Sequence, residues 1–425
     1  MKNALIIISL CCVAVVARGS VRDLTVEGAP FPLTVAEWTP PAREFPISDF
    51  GAKTGDAPVT EAVQRAVDAC AAAGGGRVVV PPGRWTCGPI RLKNDVALVL
   101  AEGATLFFPD DPLLVTGRPL ENGRPRLRQP GLIFANDCSN IGILGPGTIE
   151  AATEYWHSNH RKNPKAGFPR PRFVTLDGCS RVRLEGFKVR GSPSWTLHLL
   201  KCKDIVLRGV DIVAHGPNSD GVDIDSCNRV LAERCSLNQG DDSFTIKSGK
   251  DAAGRRRNIP SENIAILDSV VARTQMLGIG SEVSGGVRNV WLKNCSATGE
   301  VSCVVRVKTN SHRGGFVENV WVEDISAVYA RRAVFEIDAT YDGNPVKELT
   351  KPNPDPHYTR IENINVRNMK CGRSKWAVRV IGDEHLPPKA VTVEDLSVDK
   401  LTAGGCQVKN APGLVLRRVS GHSAK

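Results

Sequence analysis

The feature that most constrains the fold is a short apolar pattern that returns about every 25 residues, a spacing typical of solenoid repeats. Each copy alternates apolar and polar residues and then changes phase, which predicts two or three short strands separated by bends. One such unit cannot bury its own apolar face, whereas stacked units can. An asparagine or another polar residue usually precedes the pattern, whose copies begin at Val182, Ile205, Val230, Ile264, Val290, Val320, Ile364 and Val391.

This repeat predicts an all-β, single-stranded right-handed parallel β-helix. A leucine-rich repeat is the competing solenoid, but its helical half is missing from the pattern. Longer intervals are read as loops inserted at the corners, such as residues 250–262 and 338–358. Residues 60–70 have apolar positions three and four apart and precede three glycines, so they predict an N-terminal capping helix.

The first residues predict an exported protein. A basic start and a short apolar run ending at Ala17 are typical of a signal peptide over residues 1–17. Residues 18–45 would form an N-terminal leader, and residues 46–425 a single β-helix domain. No other segment is long and apolar enough to cross a membrane, so no membrane association is expected. A monomer is expected.

Charge points to the kind of partner. The chain carries a net charge of +10, which suits an acidic polysaccharide or oligosaccharide, although general solubility explains it equally well. Nucleic acid is not expected as a partner, because aromatic residues are only 5% of an apparently exported chain and its basic residues are scattered.

Cysteine spacing follows the repeat. Four cysteines stand just before successive β-type runs, which predicts a buried ladder of free thiols, with disulfides between rungs as the alternative. These are Cys138, Cys179, Cys202 and Cys227.

Three carboxylates fall in two segments of near-identical pattern. Asp220 begins the segment Asp-Gly-Val-Asp-Ile, and Asp242 begins Asp-Ser-Phe-Thr-Ile one repeat later, directly after Asp241. In a coiled chain, Asp220 should therefore lie beside Asp242. Clustered carboxylates repel each other, so acid–base chemistry on a glycosidic bond is the reason we infer for keeping them together.

Aligning the inward-facing pairs gives the rest of the site. The pairs Leu197/Leu199, Val222/Ile224, Phe244/Ile246, Leu277/Ile279 and Val305/Val307 leave the intervening residues pointing outward. One outward column contains His198, Asp223, Thr245, Gly278 and Arg306. The next contains Lys247, Gly280 and Lys308, and the turn before the strand contains Asp220, Asp242 and Gln275.

Six side chains are expected to share one solvent-facing groove, which Gly278 and Gly280 leave open in its middle: Asp220, Asp223, Asp241, Asp242, Arg306 and Lys308. Each residue also has an ordinary structural reading, because aspartate is common in turns and basic residues are common on exposed strands. Their convergence on one face favours a functional site.

The chain resembles glycoside hydrolase family 28, the polygalacturonases and related pectin hydrolases, over roughly residues 46 to 400. It most resembles bacterial, often exo-acting members. The segments that carry the resemblance include 49–53, 74–83 and 192–198, and the specific ones are 215–221, 240–242, 246–249 and 306–309.

The resemblance implies an inverting hydrolase that needs neither cofactor nor metal. Asp241 would be the general acid, and Asp220 and Asp242 would hold and deprotonate the attacking water. Arg306 and Lys308 would bind a substrate carboxylate. The remaining expected substrate-binding residues are Asp223, Lys247, His198 and Gln275.

One departure from the family concerns a histidine. Polygalacturonases carry it in a Gly-His-Gly run before an Ile-Gly-Ser segment, where this chain has Thr274 or Gln275, depending on the gap. The change puts ordinary galacturonan hydrolysis in question, and His198 is the candidate substitute. A polysaccharide lyase and a non-catalytic carbohydrate-binding β-helix are the alternatives of other classes.

Overall fold

The computed structural model describes residues 19–55, 57–127, 129–163, 168–341 and 353–423. The predicted signal peptide, residues 1–17, lies outside these ranges. Within the described part of the chain, no helix combines the length and apolar character needed to cross a membrane.

The first strands form the N-terminal region and the early coils. They are β1 (Ser20–Thr25), β2 (Thr34–Thr39), β3 (Glu44–Pro46), β4 (Gly76–Val80), β5 (Gly83–Thr86), β6 (Ile90–Arg91), β7 (Val96–Leu100), β8 (Ala104–Phe108), β9 (Gly131–Asn136), β10 (Ser139–Leu144), β11 (Thr148–Ala151), β12 (Arg172–Asp177), β13 (Ser180–Glu185) and β14 (Lys188–Arg190).

The remaining strands form the central and C-terminal coils. They are β15 (Leu197–Leu200), β16 (Lys203–Arg208), β17 (Asp211–Ala214), β18 (Val222–Asp225), β19 (Asn228–Glu233), β20 (Ser236–Gln239), β21 (Phe244–Lys247), β22 (Ser261–Leu267), β23 (Val270–Val271), β24 (Thr274–Gly280), β25 (Val287–Lys293), β26 (Ser296–Lys308), β27 (Phe316–Asp338), β28 (Arg360–Ile381), β29 (Lys389–Leu401), β30 (Cys406–Lys409) and β31 (Leu414–Ser423).

The strands stack into a parallel β-helix. In the central region each strand pairs in parallel with the strand three places further along the chain, as in β12–β15–β18–β21–β24, so one coil contains three strands. Towards the C-terminus the bends between strands disappear, and β27 and β28 run almost unbroken around a coil. Parallel crossovers are right-handed in nearly all proteins, and the predicted fold class is confirmed.

Side chains that repeat from coil to coil form ladders. Asparagines near the starts of successive strands pass hydrogen bonds along the solenoid, and four of them, Asn263, Asn289, Asn319 and Asn363, adopt positive φ angles. Each amide nitrogen donates to the side-chain oxygen of the asparagine one coil earlier, at 2.6–3.3 Å, through Asn228, Asn263, Asn289, Asn319 and Asn363. These hydrogen bonds satisfy the half-buried side-chain amides of successive coils with one another.

The predicted cysteine ladder is present. Cys138, Cys179, Cys202 and Cys227 are buried free thiols. They donate hydrogen bonds to backbone carbonyls, such as Cys202 to Leu176 and Cys227 to Leu199, each at 3.2 Å. No disulfide occurs among the described cysteines. The small thiols therefore fill the core as an apolar stack.

The helices lie outside the stacked strands. They are α1 (Thr60–Ala72), α2 (Pro112–Thr116), α3 (Glu154–Lys162) and α4 (Asp251–Arg257), with a 3₁₀ helix at Ile47–Phe50. The apolar face of α1, which includes Val63 and Val67, packs on β3, β4 and β7 and covers the first coil. The covered strand edge is thereby protected from pairing with another chain.

Residues assigned from the sequence to a leader are ordered in part. β1 and β2 form an antiparallel hairpin, and its apolar residues, including Leu33 and Val35, pack on the outside of the β-helix against Val206, Leu231 and Trp291. The hairpin also places Glu37 beside Arg183 and Arg208 of the coils.

The inserted loops border the outward face of β18, β21 and β24. The predicted loop at residues 250–262 contains α4. The predicted loop at residues 338–358 lies only partly within the described residues, which resume at Asn353.

Candidate active site

The register predicted for the central coils is confirmed. Val222 pairs with Phe244, Phe244 with Leu277 and Leu277 with Val305. The outward residues between them consequently line up as His198, Asp223, Thr245, Gly278 and Arg306.

The turn column before these strands is confirmed as well. The amide of Gly221 donates to the carbonyl of Asp242 at 2.9 Å. The amide of Ser243 donates to the carbonyl of Gln275 at 2.8 Å. Asp220, Asp242 and Gln275 therefore occupy equivalent positions on three adjacent coils.

A cavity of about 510 Å³ opens over this column. The three aspartates Asp220, Asp241 and Asp242 line it together with Lys247 and Lys308. Charged groups of both signs thus face one concave space, which is where a ligand site is expected.

Lys247 neutralises one side of the cluster from below. Its Nζ lies 3.2 Å from Asp220 Oδ2 and 2.5 Å from Asp223 Oδ1. Burial alone would lower the pKa of Lys247, but the charges of Asp223 and Asp220 outweigh it and raise the pKa. The same nitrogen lies 3.6 Å from the ring centroid of Trp195. The lysine is therefore a fixed cation beneath Asp220.

Lys308 forms the corresponding ion pair with Asp242. Its Nζ lies 2.6 Å from Asp242 Oδ2. Burial again opposes the charge, but Asp242 raises the pKa of Lys308 above its ordinary value. Asp220 and Asp242 therefore each have a lysine in contact.

Asp241 differs from its two neighbours. It forms no ion pair within the described residues, and its Oδ1 accepts a hydrogen bond from the backbone amide of Asp242 at 3.0 Å. Burial, followed by the charges of Asp220 and Asp242, raises the pKa of Asp241 to about 7. Of the three carboxyl groups, that of Asp241 can therefore carry a proton near neutral pH.

Within the described residues, no group of three or more histidine, cysteine, aspartate or glutamate side chains is arranged to hold a metal ion. The chemistry that the cavity can perform with its own residues is proton transfer between differently charged carboxyl groups.

Comparison with known proteins decides the family. The model for glycosyl hydrolases family 28 matches residues 70–422. The chain belongs to glycosyl hydrolases family 28. It is therefore a glycoside hydrolase of the polygalacturonase-like kind.

Individual relatives agree with this assignment. A probable polygalacturonase of Vitis vinifera is 28% identical over 376 residues, covering 84% of this chain and 74% of that protein. An endo-polygalacturonase of Pectobacterium carotovorum is 24% identical, covering 84% and 88% of the two chains. The structure of a hyperthermoactive exopolygalacturonase from Thermotoga maritima matches with a TM-score of 0.78 at 30% identity, covering 90% and 94%.

The expectation of a solvent-facing groove is wrong for Asp223, and His198 and Thr245 of the same outward column are buried as well. Asp223 is 0% exposed and His198 is 2% exposed. Asp223 lies under Lys247, and His198 packs edge-on against Trp195 at 5.0 Å between ring centroids. The loops and the long Lys247 side chain cover this column, so both residues support the site from beneath it.

His198 is also poorly placed to replace the family histidine. Neither of its ring nitrogens has a hydrogen-bond partner among the described residues, and the nearest carboxylate oxygen, on Asp225, is 3.8 Å away. Burial lowers the pKa of His198, so the ring is neutral at pH 7. It does not line the cavity with the three aspartates.

The two candidate replacements for the family histidine have different surroundings. Thr274 donates a hydrogen bond to the carbonyl of Asp241 and has a positive φ of 68°. Gln275 is buried, and its Nε2 has no partner among the described residues. Both border the aspartates in this family 28 chain, but neither can supply a second proton-transfer group of histidine type.

Gly280 lines the cavity, and both glycines also stand where a side chain would meet neighbouring protein atoms. A Cβ on Gly278 would lie 2.5 Å from Gln275 Nε2 and 2.9 Å from Asp242 Oδ2. A Cβ on Gly280, whose φ is 98°, would lie 2.1 Å from the carbonyl oxygen of Lys308. These glycines make room for neighbouring protein atoms.

Arg306 is already engaged by the protein. Its guanidinium lies 3.3 Å from Glu336 and 3.4 Å from Asp338, and 4.7 Å from the ring centroid of Tyr341. Tyr341 and Lys308 line the cavity there. The predicted pairing of Arg306 with a substrate carboxylate stays a prediction, and it requires Arg306 to share its two protein partners.

Sequence reasoning missed two aromatic residues that line the cavity, Trp195 and Tyr341. Trp195 stands in the family-like segment 192–198, so its position two coils before Lys247 was a usable signal. Tyr341 belongs to an inserted loop, whose path the repeat pattern does not determine.

Proposed function

We propose that this protein is an exported hydrolase that cleaves galacturonic-acid-containing, pectic-type polysaccharide or oligosaccharide with inversion at the anomeric carbon. The relatives described as polygalacturonases support the substrate class. The observation that carries the mechanism is the division of the cluster into two ion-paired carboxylates and one unpaired carboxyl whose pKa is raised to about 7.

Asp241 acts as the general acid in this mechanism. Its protonated carboxyl donates the proton to the glycosidic oxygen as the bond from that oxygen to the anomeric carbon breaks. The fraction of Asp241 that carries a proton is large only if its pKa is near the working pH, which burial and the two neighbouring charges achieve.

Asp220 and Asp242 act on the attacking water. Ion-paired with Lys247 and Lys308, they accept hydrogen bonds from the water and take its proton as its oxygen bonds to the opposite face of the anomeric carbon. The two proton transfers leave one inverted hemiacetal and one alcohol, with no covalent intermediate on the protein.

The basic surface supports an acidic substrate. Lys250 is exposed at the cavity and forms no ion pair among the described residues. Together with the net charge of +10, such cations increase the local concentration of a polyanion around the cleft.

The test uses the purified protein with polygalacturonate or oligogalacturonates. The anomeric form produced first, followed by proton NMR, should be the inverted one. Asp241→Asn should lower turnover by about 10²–10⁴-fold and leave oligogalacturonate binding in place. Asp211→Asn is the matched control, because Asp211 is ion-paired with Arg190 on a different sheet of the coil.

Three results contradict the proposal: products with retained configuration, products with a new double bond, or an Asp241→Asn protein that keeps its turnover. The export part of the proposal is checked separately. The mature protein recovered from outside the cytoplasm should lack residues 1–17, and a full-length mature protein would contradict it.

A further inference from the structure

Three arginines and two carboxylates form a cluster next to the cavity lined by the three aspartates. Arg306, Glu336 and Arg379 stand in register on β26, β27 and β28, so they form one column of alternating charge. Asp338 and Arg332, both on β27, complete the cluster. With three cations and two anions in contact, one positive charge is in excess.

The two carboxylates are already balanced by two of the arginines. Glu336 is 0% exposed and Asp338 is 6% exposed, so water does little to solvate their charges. Arg332 Nε lies 2.6 Å from Glu336 Oε2, and Arg379 Nη1 lies 2.8 Å from Glu336 Oε1. The same two arginines lie 3.2 Å and 3.3 Å from Asp338 Oδ2. Each carboxylate therefore has two cations in contact before Arg306 is considered.

Arg306 is held more loosely than the other two arginines. Its closest contacts with the carboxylates, both from Nη2, are 3.3 Å to Glu336 and 3.4 Å to Asp338. Its buried Nε has no hydrogen-bond partner among the described residues. Its guanidinium lies 4.7 Å from the ring centroid of Tyr341, which lines the cavity. The excess positive charge of the cluster is therefore located at Arg306, beside the cavity wall.

Arg332 and Arg379 determine how much of that charge remains. Without them, Arg306 would be the only cation among the described residues in contact with two buried carboxylates. A buried carboxylate needs a partner, so Arg306 would be held by Glu336 and Asp338 and its charge would be cancelled. Neither Arg332 nor Arg379 is among the residues that line the cavity, so any effect on a ligand there has to pass through Arg306.

We propose that Arg332 and Arg379 are positioning residues: they neutralise Glu336 and Asp338, so that Arg306 keeps an uncompensated positive charge towards an anionic substrate. This inference rests on the proposed function and on the predicted pairing of Arg306 with a substrate carboxylate. Affinity for an acidic chain should then follow the net charge of the cluster. Loss of a cation and loss of an anion should change affinity in opposite directions.

The test measures kcat and KM for polygalacturonate. Arg379→Leu removes the excess charge and should raise KM about 5- to 20-fold, with kcat changed by less than about twofold. Glu336→Gln doubles the excess charge and should lower KM about 2- to 5-fold. The double variant Arg379→Leu/Glu336→Gln restores one excess charge, and its KM should return to within about twofold of the parent.

Arg208→Leu is the matched control. The side chains of Arg208 and Arg379 are both 17% exposed, and each pairs with a buried glutamate, at 2.7 Å for Arg208 with Glu37 and at 2.8 Å for Arg379 with Glu336. Arg208, however, lies on the outside of the β-helix, where the N-terminal hairpin packs. Both substitutions remove one positive charge from the protein, but only Arg379→Leu should raise KM.

Two further variants keep the test usable if Arg379→Leu does not fold. Arg379→Lys preserves the charge and should keep KM within about threefold of the parent. Arg332→Gln removes a charge from a side chain that is 41% exposed, and should raise KM as Arg379→Leu does.

A cluster that only stabilises the fold would lower the free energy of unfolding in the single variants and leave KM of the folded proteins unchanged. That result overturns the proposal, as does a raised KM in Arg379→Leu that the added Glu336→Gln substitution fails to restore. In both cases the parent still cleaves polygalacturonate, and the proposed function stands. A parent that does not cleave polygalacturonate contradicts the proposed function, and this inference fails with it.

Discussion

Two regions of this solenoid bury carboxylates, and they balance the charge in opposite ways. On the outer face, Glu37 is 1% exposed and contacts Arg22 at 2.5 Å and Arg208 at 2.7 Å, with Arg183 at 3.9 Å. Burial alone would raise the pKa of Glu37, but the hydrogen bonds from the arginines outweigh it and lower the pKa. On the outer face, a single carboxylate is therefore surrounded by several arginines.

The cleft contains more carboxylates than cations. Two lysines are shared among Asp220, Asp223, Asp241 and Asp242, and Asp241 has no ion pair among the described residues. The pKa of Asp241 accordingly moves up rather than down. The same fold therefore builds a stabilising network on one face and a strained one on another, and the difference between them is the number of cations in contact.

The largest effect is expected from removing a cation from the cleft. Lys247→Met leaves Asp220 and the buried Asp223 without their shared ammonium group. Burial, followed by the charge of Asp220, raises the pKa of Asp223 well above its ordinary value even beside Lys247, so without the lysine both carboxyl groups are driven towards their protonated forms. Turnover should fall by about 10²–10³-fold, since Asp220 no longer serves as a charged base. The free energy of unfolding should fall by about 3–5 kcal/mol, as for other broken buried pairs. Reducing-end assays and urea unfolding measure the two quantities.

The double variant Lys247→Met/Asp223→Asn separates the two effects. Removing both partners of a buried pair costs less than removing one, so stability should recover while turnover stays low. A single Lys247→Met protein with turnover within tenfold of the parent would show that the lysine does not act on Asp220.

The second effect concerns the unpaired carboxyl and its dependence on pH. The pKa of Asp241 is about 7 in the folded protein against 3.8 for an ordinary aspartate. Between these values the folded state holds a proton that the unfolded state has released, so stability falls as the pH rises. The wild type should lose about 2–4 kcal/mol relative to Asp241→Asn between pH 4 and pH 7.

Urea unfolding of both proteins across this pH range gives the difference directly. The same titration should appear in catalysis as a fall of kcat/KM above about pH 7, because the acid form is lost. A stability difference that stays constant from pH 4 to pH 8 would contradict the raised pKa of Asp241.

The contrast also shows what sequence could predict. Alternation of apolar residues determined the register from Leu197 to Val307, because a one-residue slip would turn the core outward. It brought Asp220 beside Asp242 correctly. It could not show that Lys247 folds beneath Asp220 and buries Asp223, since side-chain direction along the groove depends on Trp195 and the covering loops.

The ion pairs around Glu37 on the outer face could not be predicted from the sequence for a similar reason. Glu37 is far in sequence from Arg183 and Arg208, and nothing in a leader of mixed composition predicts that a hairpin docks there. The strands and register of the coils were predicted from their periodicity. Contacts between a non-repeating segment and a repeat have no such periodicity.

The smallest effect is expected on this outer face. Glu37→Gln removes one negative charge from a group of arginines that keep other partners or remain hydrated. Arg208 retains Glu233 at 2.6 Å and Glu185 at 3.1 Å, and the side chain of Arg22 is 68% exposed and can be hydrated. The expected loss is therefore about 1–2 kcal/mol in the free energy of unfolding, near the value of a charge-assisted hydrogen bond. Turnover of the folded variant should equal that of the parent, and a loss above about 4 kcal/mol would mean that Glu37 is as critical as a buried pair in the cleft.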